Sequence, residues 1–411
     1  MGVSHIYLCK SKGMNYYVLY NPLGGTEGHS QQYTTQLCLA LVDNGVGVHL
    51  VVSRDYDPVE VVAKGVAISF TQIIDSRKIT LRFNSWLSKL RYGWFLVQNN
   101  FRSFSALNKV LDSHPRSTCL LMGGQTLTNV LYLLATSWRR RGTVFALTIH
   151  NADYDLALYL DDKVKLVYKA VLKLCLKWLL KTNAVIFVHG EAMQKALAMQ
   201  MKVSPTRISI YKVPTPMGWQ QAGGSPRLPS RPVRLLFCGV VRHDKGFDLL
   251  CEALAGCLPL ADWQLRVAGS VRQVGEGYVS GLVAKHGITD NCSFKLHYLS
   301  SEDIDAEFQN CDIVVLPYRR GFIAQSVVMT DAMRWRRPVI ASEHSQNGYD
   351  ALKYGLGWVF TSEVTASLES ALKSAIHAHL INRAFNFGFA AFMEDHSPRS
   401  VGRNIIAATA H

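Results

Sequence analysis

Two short stretches concentrate the residue types that hold a phosphorylated ligand. The run Leu235-Leu236-Phe237-Cys238-Gly239-Val240-Val241-Arg242-His243-Asp244-Lys245-Gly246 reads as an apolar strand, a glycine bend, and then an arginine and a lysine three residues apart where a helix begins. Two cations beside a helix N-terminus, whose free N–H groups carry partial positive charge, form a cradle for a phosphate. Further on, Ser326 and Val327 open a second helix whose N–H groups can meet a phosphate, and Asp331, about a turn later, can accept hydrogen bonds from sugar hydroxyls. Gly24 and Gly25 follow the first strand and precede a helix, which permits close backbone approach to an anion, although the Gly-x-Gly-x-x-Gly spacing of a dinucleotide site is absent. His150 ends another strand, Thr148-Ile149-His150-Asn151, with Asp153 and Asp155 close behind it, where carboxylates could orient a hydroxyl. Asp303-Ile304-Asp305 has the spacing of a metal motif but sits among the acids of a surface helix, and no metal is expected. The nine cysteines stand singly in apolar surroundings without a Cys-x-x-Cys pair, as reduced core residues of a cytosolic protein do.

The elements that must position these groups follow from the hydrophobic period. Short β-branched runs alternate with longer segments of helical period, which predicts parallel sheets covered by helices. The predicted strands are 16–20, 48–52, 67–73, 118–122, 143–149 and 184–188, then 233–238, 264–268, 293–296, 313–316 and 338–341. Helices are predicted at about 28–44, 84–112, 124–140, 161–182 and 190–202, then 245–257, 301–309 and 324–335, with a helical tail from about Val364. Between Val213 and Pro232 five prolines and three glycines interrupt the pattern and read as a linker. The expectation is therefore an N-terminal domain at 1–212, a linker at 213–232 and a C-terminal domain at 233–411 that includes the tail. Both are doubly wound, with the ligand in the cleft between them.

Charge divides unevenly along the chain. The 411 residues carry 44 Lys+Arg against 30 Asp+Glu, yet 1–212 hold 25 and 12 of these while 213–411 hold 19 and 18. The net charge of +14 is thus a property of the first half, which faces a polyanion, a membrane or an anionic substrate. From Phe83 to Phe104 the cations alternate with Trp86, Tyr92, Trp94, Phe95 and Phe101, a composition that favours a membrane surface over nucleic acid. Lys165, Lys169, Lys173, Lys177 and Lys181 recur every four residues, opposite an apolar half of Val167, Tyr168, Val171, Leu172, Leu174, Cys175, Trp178 and Leu179. The simplest reading is a helix that packs its apolar half into the core and snorkels its lysines. With 48% hydrophobic residues the chain is not disordered, and no apolar run approaches the ~18 residues of a spanning helix. The first ten residues lack the pattern of a secretory signal.

In combination and order, these motifs resemble the glycosyltransferase family 4 members of the GT-B fold: the Gly24-Gly25 loop, the strand ending at His150, the segment 184–197, the Arg242 and Lys245 loop, and the stretch 317–342. The resemblance implies two facing Rossmann-like domains and a nucleotide-sugar bound to the second, with Arg242 and Lys245 on the diphosphate and Asp331 on the ribose. His150 stands where members place a histidine toward the donor sugar. Two departures stand out. Ile323 replaces the first of two glutamates spaced eight apart, and Val240 replaces the arginine of the usual Gly-Arg. Gln325-Ser326 and Arg-x-x-Lys-Gly look like features of a subset of the family. The resemblance implies a retaining hexosyltransferase that uses a UDP- or GDP-sugar, needs no cofactor or metal, and acts on a polyprenyl-diphosphate-linked glycan, as in exopolysaccharide biosynthesis. Its place would be the inner face of the plasma membrane, peripheral and cytoplasmic, with the basic first domain on the anionic surface. A catalytically impaired membrane- or glycan-binding relative is the alternative, and a nucleic-acid-binding α/β protein a weaker one that no motif supports.

Overall fold

The computed structural model describes residues 16–22, 30–71, 102–122, 126–215, 231–260, 262–271, 274–381 and 387–410. Gly24, Gly25, the aromatic-basic segment up to Phe101 and residues 216–230 of the expected linker lie outside the described residues.

Two parallel sheets form the framework. The first has seven strands, β1 (Tyr16–Asn21), β2 (Gly47–Ser53), β3 (Ala67–Thr71), β4 (Ser117–Leu121), β5 (Val144–Thr148), β6 (Val185–Val188) and β7 (Ser209–Ile210), in the order β3-β2-β1-β4-β5-β6-β7. The second has six, β8 (Val233–Cys238), β9 (Trp263–Ala268), β10 (Cys292–Lys295), β11 (Ile313–Leu316), β12 (Val339–Ser342) and β13 (Gly357–Phe360), in the order β10-β9-β8-β11-β12-β13. Every described pairing is parallel. In the first half the helices are α1 (Ser30–Val42), α2 (Val59–Val62), α3 (102–113), α4 (Leu127–Ser137), α5 (Lys163–Leu179) and α6 (Glu191–Met201). The second half has α7 (Phe247–Ala255), α8 (Glu276–Lys285), α9 (Ser301–Asn310), α10 (Val327–Arg334), α11 (Gln346–Tyr354), α12 (Thr365–Leu380), α13 (Phe389–Asp395) and α14 (Pro398–Thr409).

Both faces of each sheet are buried, which is why the strands read as continuous apolar runs. In β1, Val18 and Tyr20 face a core shared with α3, α4 and α5, while Tyr17 and Leu19 face one shared with α1. In β8, Leu235 and Phe237 point to α7 and α12, whereas Leu236 and Cys238 point to α10. The strand order reverses between β1 and β4 in the first sheet and between β8 and β11 in the second. The crevices at these reversals lie at the carboxyl ends of the strands, where open α/β sheets bind ligands.

Three expectations are corrected. The tail does not stay with the second sheet: α14 crosses back and packs on α1, with Val401 and Ile405 in the core of Tyr17, Leu37 and Leu41. Gly402 makes the approach possible, since a Cβ there would sit 2.3 Å from the Ala40 carbonyl oxygen, and the Thr409 hydroxyl meets that of Tyr17 at 2.6 Å. The chain therefore crosses between the sheets twice, and the two crossings are tied together, the Thr215 N–H donating to the His396 carbonyl at 2.9 Å. Secondly, the start of the expected linker is buried: Lys212, Val213 and Thr215 are core residues of the junction. Thirdly, α5 turns only part of its expected apolar half inward, namely Leu172, Cys175 and Leu179. It buries Lys169, Leu172, Cys175, Leu176 and Leu179, and it exposes Val164, Val167, Val171, Leu174 and Trp178. Lys169 enters the core because Asp153 receives it at 2.7 Å, and Lys173 donates to the Tyr154 carbonyl at 3.0 Å.

Candidate active site

The loop after β8 and the loop after β11 flank the reversal in the second sheet, and they are locked to each other. Gly246 has φ +68°, and a Cβ there would lie 2.0 Å from the Pro317 carbonyl oxygen, so only glycine closes this contact. The Arg319 N–H donates to the Asp244 carbonyl at 2.9 Å. This packing brings Lys245 over the rings of Tyr318 and Phe322, its Nζ 3.6 Å and 3.7 Å from their centroids. The Tyr318 hydroxyl in turn lies 3.1 Å from that of Ser326, the N-cap of α10. Lys245 and Ser326 are thus brought to the same ring, that of Tyr318, at the start of α10.

The two cations differ in state. Arg242 is held in a fork by Asp244 of its own loop, Nε at 2.9 Å and Nη2 at 2.6 Å, which neutralises much of its charge. Lys245 has only aromatic faces, and burial, reinforced by the Arg242 charge and opposed by Asp244, holds its ammonium well below the ordinary lysine range. An anion arriving beside it would restore the missing counter-charge. Ser326 is less available than expected, because its N–H already donates to Asn347 Oδ1 at 2.9 Å.

Asp331 and Val327 line a small pocket between the two halves, walled on the other side by Gln32, Tyr33 and Gln36 of α1 and by Val213 and Pro214. Burial alone pushes the Asp331 carboxyl up to about 7. Thr330 also lines this cavity, with a buried hydroxyl that has no hydrogen-bond partner. Sequence reasoning missed Thr330 and the α1 wall. The signal was the polar run Ser30-Gln31-Gln32-Tyr33-Thr34-Thr35-Gln36, which has too few apolar residues for a helix whose side chains at 34, 35 and 36 are buried.

His150 does not present a free ring nitrogen. Its Nε2 meets the Met122 carbonyl at 2.7 Å and its Nδ1 meets His189 Nε2 at 3.1 Å, so both edges are committed inside the first half. A carbonyl can only accept, so Nε2 carries the proton of His150 and Nδ1 is left as an acceptor. Burial keeps His150 below the usual histidine range and His189 well below it. Tyr33 stands edge-on to both rings and bonds the Tyr211 hydroxyl. In this conformation His150 packs behind Tyr33 of α1, with both ring nitrogens turned to protein partners. Asp153 is taken up by Lys169 and by the Tyr159 hydroxyl at 2.7 Å, and Asp155 caps a turn through the Ala157 N–H. Among the described residues no group of three or more His, Cys, Asp or Glu could hold a metal ion.

The position of the missing glutamate has a structural explanation. Ile323 and Ala324 pack into the core of the first half. Asn151 clamps this segment across the junction, its Oδ1 accepting from the Ile323 N–H at 3.1 Å and its Nδ2 donating to the Gly321 carbonyl at 3.0 Å. Gln346 locks the same junction from α11: its N–H donates to the Ile323 carbonyl, and its Oε1 accepts from the Ala192 N–H at 2.9 Å, capping α6. A carboxylate at 323 would be buried without a partner. Ile323→Glu is expected to lower stability by about 3 kcal/mol or more in urea unfolding. Gln346→Ala leaves the Ala192 N–H unpaired and should cost about 1–2 kcal/mol in the same measurement.

Residues 224–386 match the family model of glycosyl transferases group 1. No curated protein matches the chain by sequence. Among solved structures, a glycosyltransferase from Rickettsia africae superposes with a TM-score of 0.64 at 12% identity, covering 96% of this chain and 98% of that one. Anabaena Alr3699/HepE in complex with UDP gives 0.63 at 14% identity, covering 96% and 99%. The lipopolysaccharide outer core galactosyltransferase WaaB gives 0.61 at 14%, also covering 96% and 99%. At these identities the likeness speaks for the fold, and the family match speaks for the second half. The chain has the GT-B fold, and its residues 224–386 are similar to the glycosyl transferases group 1.

Proposed function

We propose that the protein transfers a hexosyl group from a UDP- or GDP-linked sugar to a hydroxyl of a polyprenyl-diphosphate-linked or polysaccharide acceptor at the cytoplasmic face of the membrane, with retention of configuration. The observation that carries this reading is the continuous path from Lys245 through Tyr318 and Ser326 to the start of α10, where Val327 and, a turn on, Asp331 line the pocket between the halves. UDP in the HepE complex and the lipopolysaccharide role of WaaB fit it.

The bond from the sugar C1 to the β-phosphate oxygen breaks, and one from C1 to the acceptor oxygen forms. The acceptor proton leaves with the developing diphosphate. Negative charge grows on that diphosphate, beside Lys245 and the N-terminus of α10, in a site that aromatic rings shield from water. Asp331 accepts from ribose hydroxyls, and Thr330 offers a hydroxyl beside it. Arg242 contributes once a phosphate competes with Asp244 for its fork. Gly24 and Gly25 are proposed to complete the phosphate site from the first half. No step calls for a metal or cofactor.

The test is slow nucleotide release from a panel of nucleotide-sugars. Release from a UDP- or GDP-sugar, lost in the Lys245→Ala variant, is the expected result; unchanged release in that variant would sink the donor assignment. A catalytically impaired binding relative is the second reading, favoured by the buried Ile323 and the committed His150. Calorimetry that shows donor binding without turnover, or no donor binding, would select it.

A further inference from the structure

The outward face of α5 is the largest unexplained feature of the surface. Val164, Val167, Val171, Leu174 and Trp178 are spaced three and four residues apart in turn, so at ~100° per residue they fall on one stripe about 80° wide and about 21 Å long. They are solvent-exposed: Val164 83%, Val167 62%, Trp178 55%, Leu174 50%. Single exposed apolar residues are ordinary, whereas an aligned row of five marks a contact surface. α4 packs beside α5, and the Leu127 N–H donates to the Tyr168 hydroxyl at 3.3 Å at the start of α4. Both helices return along adjacent parallel strands, so they run in the same direction. Trp138, 78% exposed just after α4, therefore lies level with the Trp178 end of the stripe.

The charges around the stripe have one sign. From Lys163 to Lys181 there is no acidic residue. Lys163, Lys177, Lys181, Arg139 and Arg141 form no ion pair among the described residues, whereas Lys169 and Arg140 are consumed by Asp153 and Asp112. Asp161 and Asp162 stand at the Val164 end, where Asp162 caps the helix, and Asp153 and Asp155 lie on the lysine side of α5, at Lys169 and Lys173. A second copy of this face would bring lysine against lysine. An anionic, apolar surface answers both the charge and the stripe, and no described helix is long and apolar enough to cross a membrane, which leaves contact in the plane of one.

We propose that the outward face of α5, together with Trp138, lies flat on a lipid bilayer that carries anionic headgroups. The two tryptophans sit at headgroup depth, the valines and Leu174 reach the acyl boundary, and the free lysines and arginines meet phosphates. This goes beyond the transfer reading and stands if the donor assignment fails, because lipid contact is read without turnover.

Flotation of the full chain with phosphatidylcholine vesicles containing phosphatidylglycerol tests it. Binding is expected there, with little binding to phosphatidylcholine alone. Lys177→Gln with Lys181→Gln should weaken it about fivefold per lysine, and Val171→Ser with Leu174→Ser by about tenfold or more. The urea midpoint and nucleotide-sugar binding should stay unchanged, since these side chains are solvent-exposed or at the helix edge. If the serine pair fails to fold, the lysine pair alone decides. Flotation that is absent in the wild type, equal on neutral vesicles, or untouched by the variants overturns the proposal. So does concentration-dependent self-association without flotation that the same variants abolish.

Discussion

Lys245→Met is expected to lower nucleotide release from the preferred donor by about 100- to 1,000-fold while leaving the protein folded, which assays of single turnover and a urea titration would establish together. The magnitude follows from removing one pre-positioned charge from a developing diphosphate in a site of low dielectric. The folding expectation follows from the seat of the side chain. Lys245 stacks on Tyr318 and Phe322 at 3.6 Å and 3.7 Å. A thioether fits the same aromatic seat without the cost of desolvating an ammonium, so the urea midpoint should match or exceed that of the wild type. A pH dependence accompanies this. Because burial holds the Lys245 ammonium well below its usual range, free enzyme loses the charge on a rise in pH that leaves an ordinary lysine protonated. Donor binding favours the protonated form, so donor affinity should fall as pH rises through the lowered value, and this slope should vanish in Lys245→Met, whose affinity is uniformly low. A variant that binds and turns over donor normally would remove Lys245 from the site.

Most of the framework was legible in the sequence because parallel strands covered on both faces must be apolar throughout, as in Ile313–Leu316 and Val233–Cys238. What escaped was short or locally misleading. β7 has two residues. β13 opens on Gly357, where a Cβ would meet the Val339 carbonyl oxygen at 2.0 Å, so packing demanded a residue that local propensity reads as a turn. α8 carries Gly277, Ser280 and Gly281, and α11 begins Gln346-Asn347-Gly348, buried because Gln346 staples the two halves together and Asn347 holds the start of α10. The period in α5 revealed a helix with a lysine half and an apolar half, but not that the buried face straddles their boundary. That was decided by Asp153, on a loop before the helix, which made a buried lysine tolerable. The same limit applied to the site. Arg242, Lys245, Ser326 and Asp331 could be picked out by type and spacing, since each lies on a loop or helix start at the reversal of one sheet. The partners that set their states are distant in sequence or of ordinary appearance: Asn347 on the Ser326 N–H, His189 on His150, Tyr318 and Phe322 beneath Lys245.

Asp331→Asn should stabilise the protein at neutral pH and impair it, a combination that separates a functional acid from a structural one. The carboxyl is buried at 6% exposure, and burial raises it to about 7 from an ordinary value near 3.8. The unfolded chain releases this proton near pH 4 and the folded chain near pH 7. In that window the folded state binds more protons, so the contribution of Asp331 to stability falls as pH rises. The difference in unfolding free energy between variant and wild type should therefore be flat below pH 4, grow from pH 4 to 7, and level off above it in favour of the variant at about 2–4 kcal/mol. His396, pressed down to about 3 by burial, acts in the opposite sense, destabilising the fold as pH falls below the ordinary histidine range, but it is common to both proteins and cancels in the difference. Donor affinity should move the other way. An amide keeps one acceptor but not the charge-assisted bonds to a ribose diol, and a loss of about 10- to 100-fold is expected in calorimetry with the nucleoside diphosphate alone. A buried acid that costs stability at the working pH, in a cavity shared with the unpaired hydroxyl of Thr330, is retained for what it binds. If Asp331→Asn gained stability and kept full nucleotide affinity, the ribose assignment would fall while the phosphate cradle at Lys245 stood.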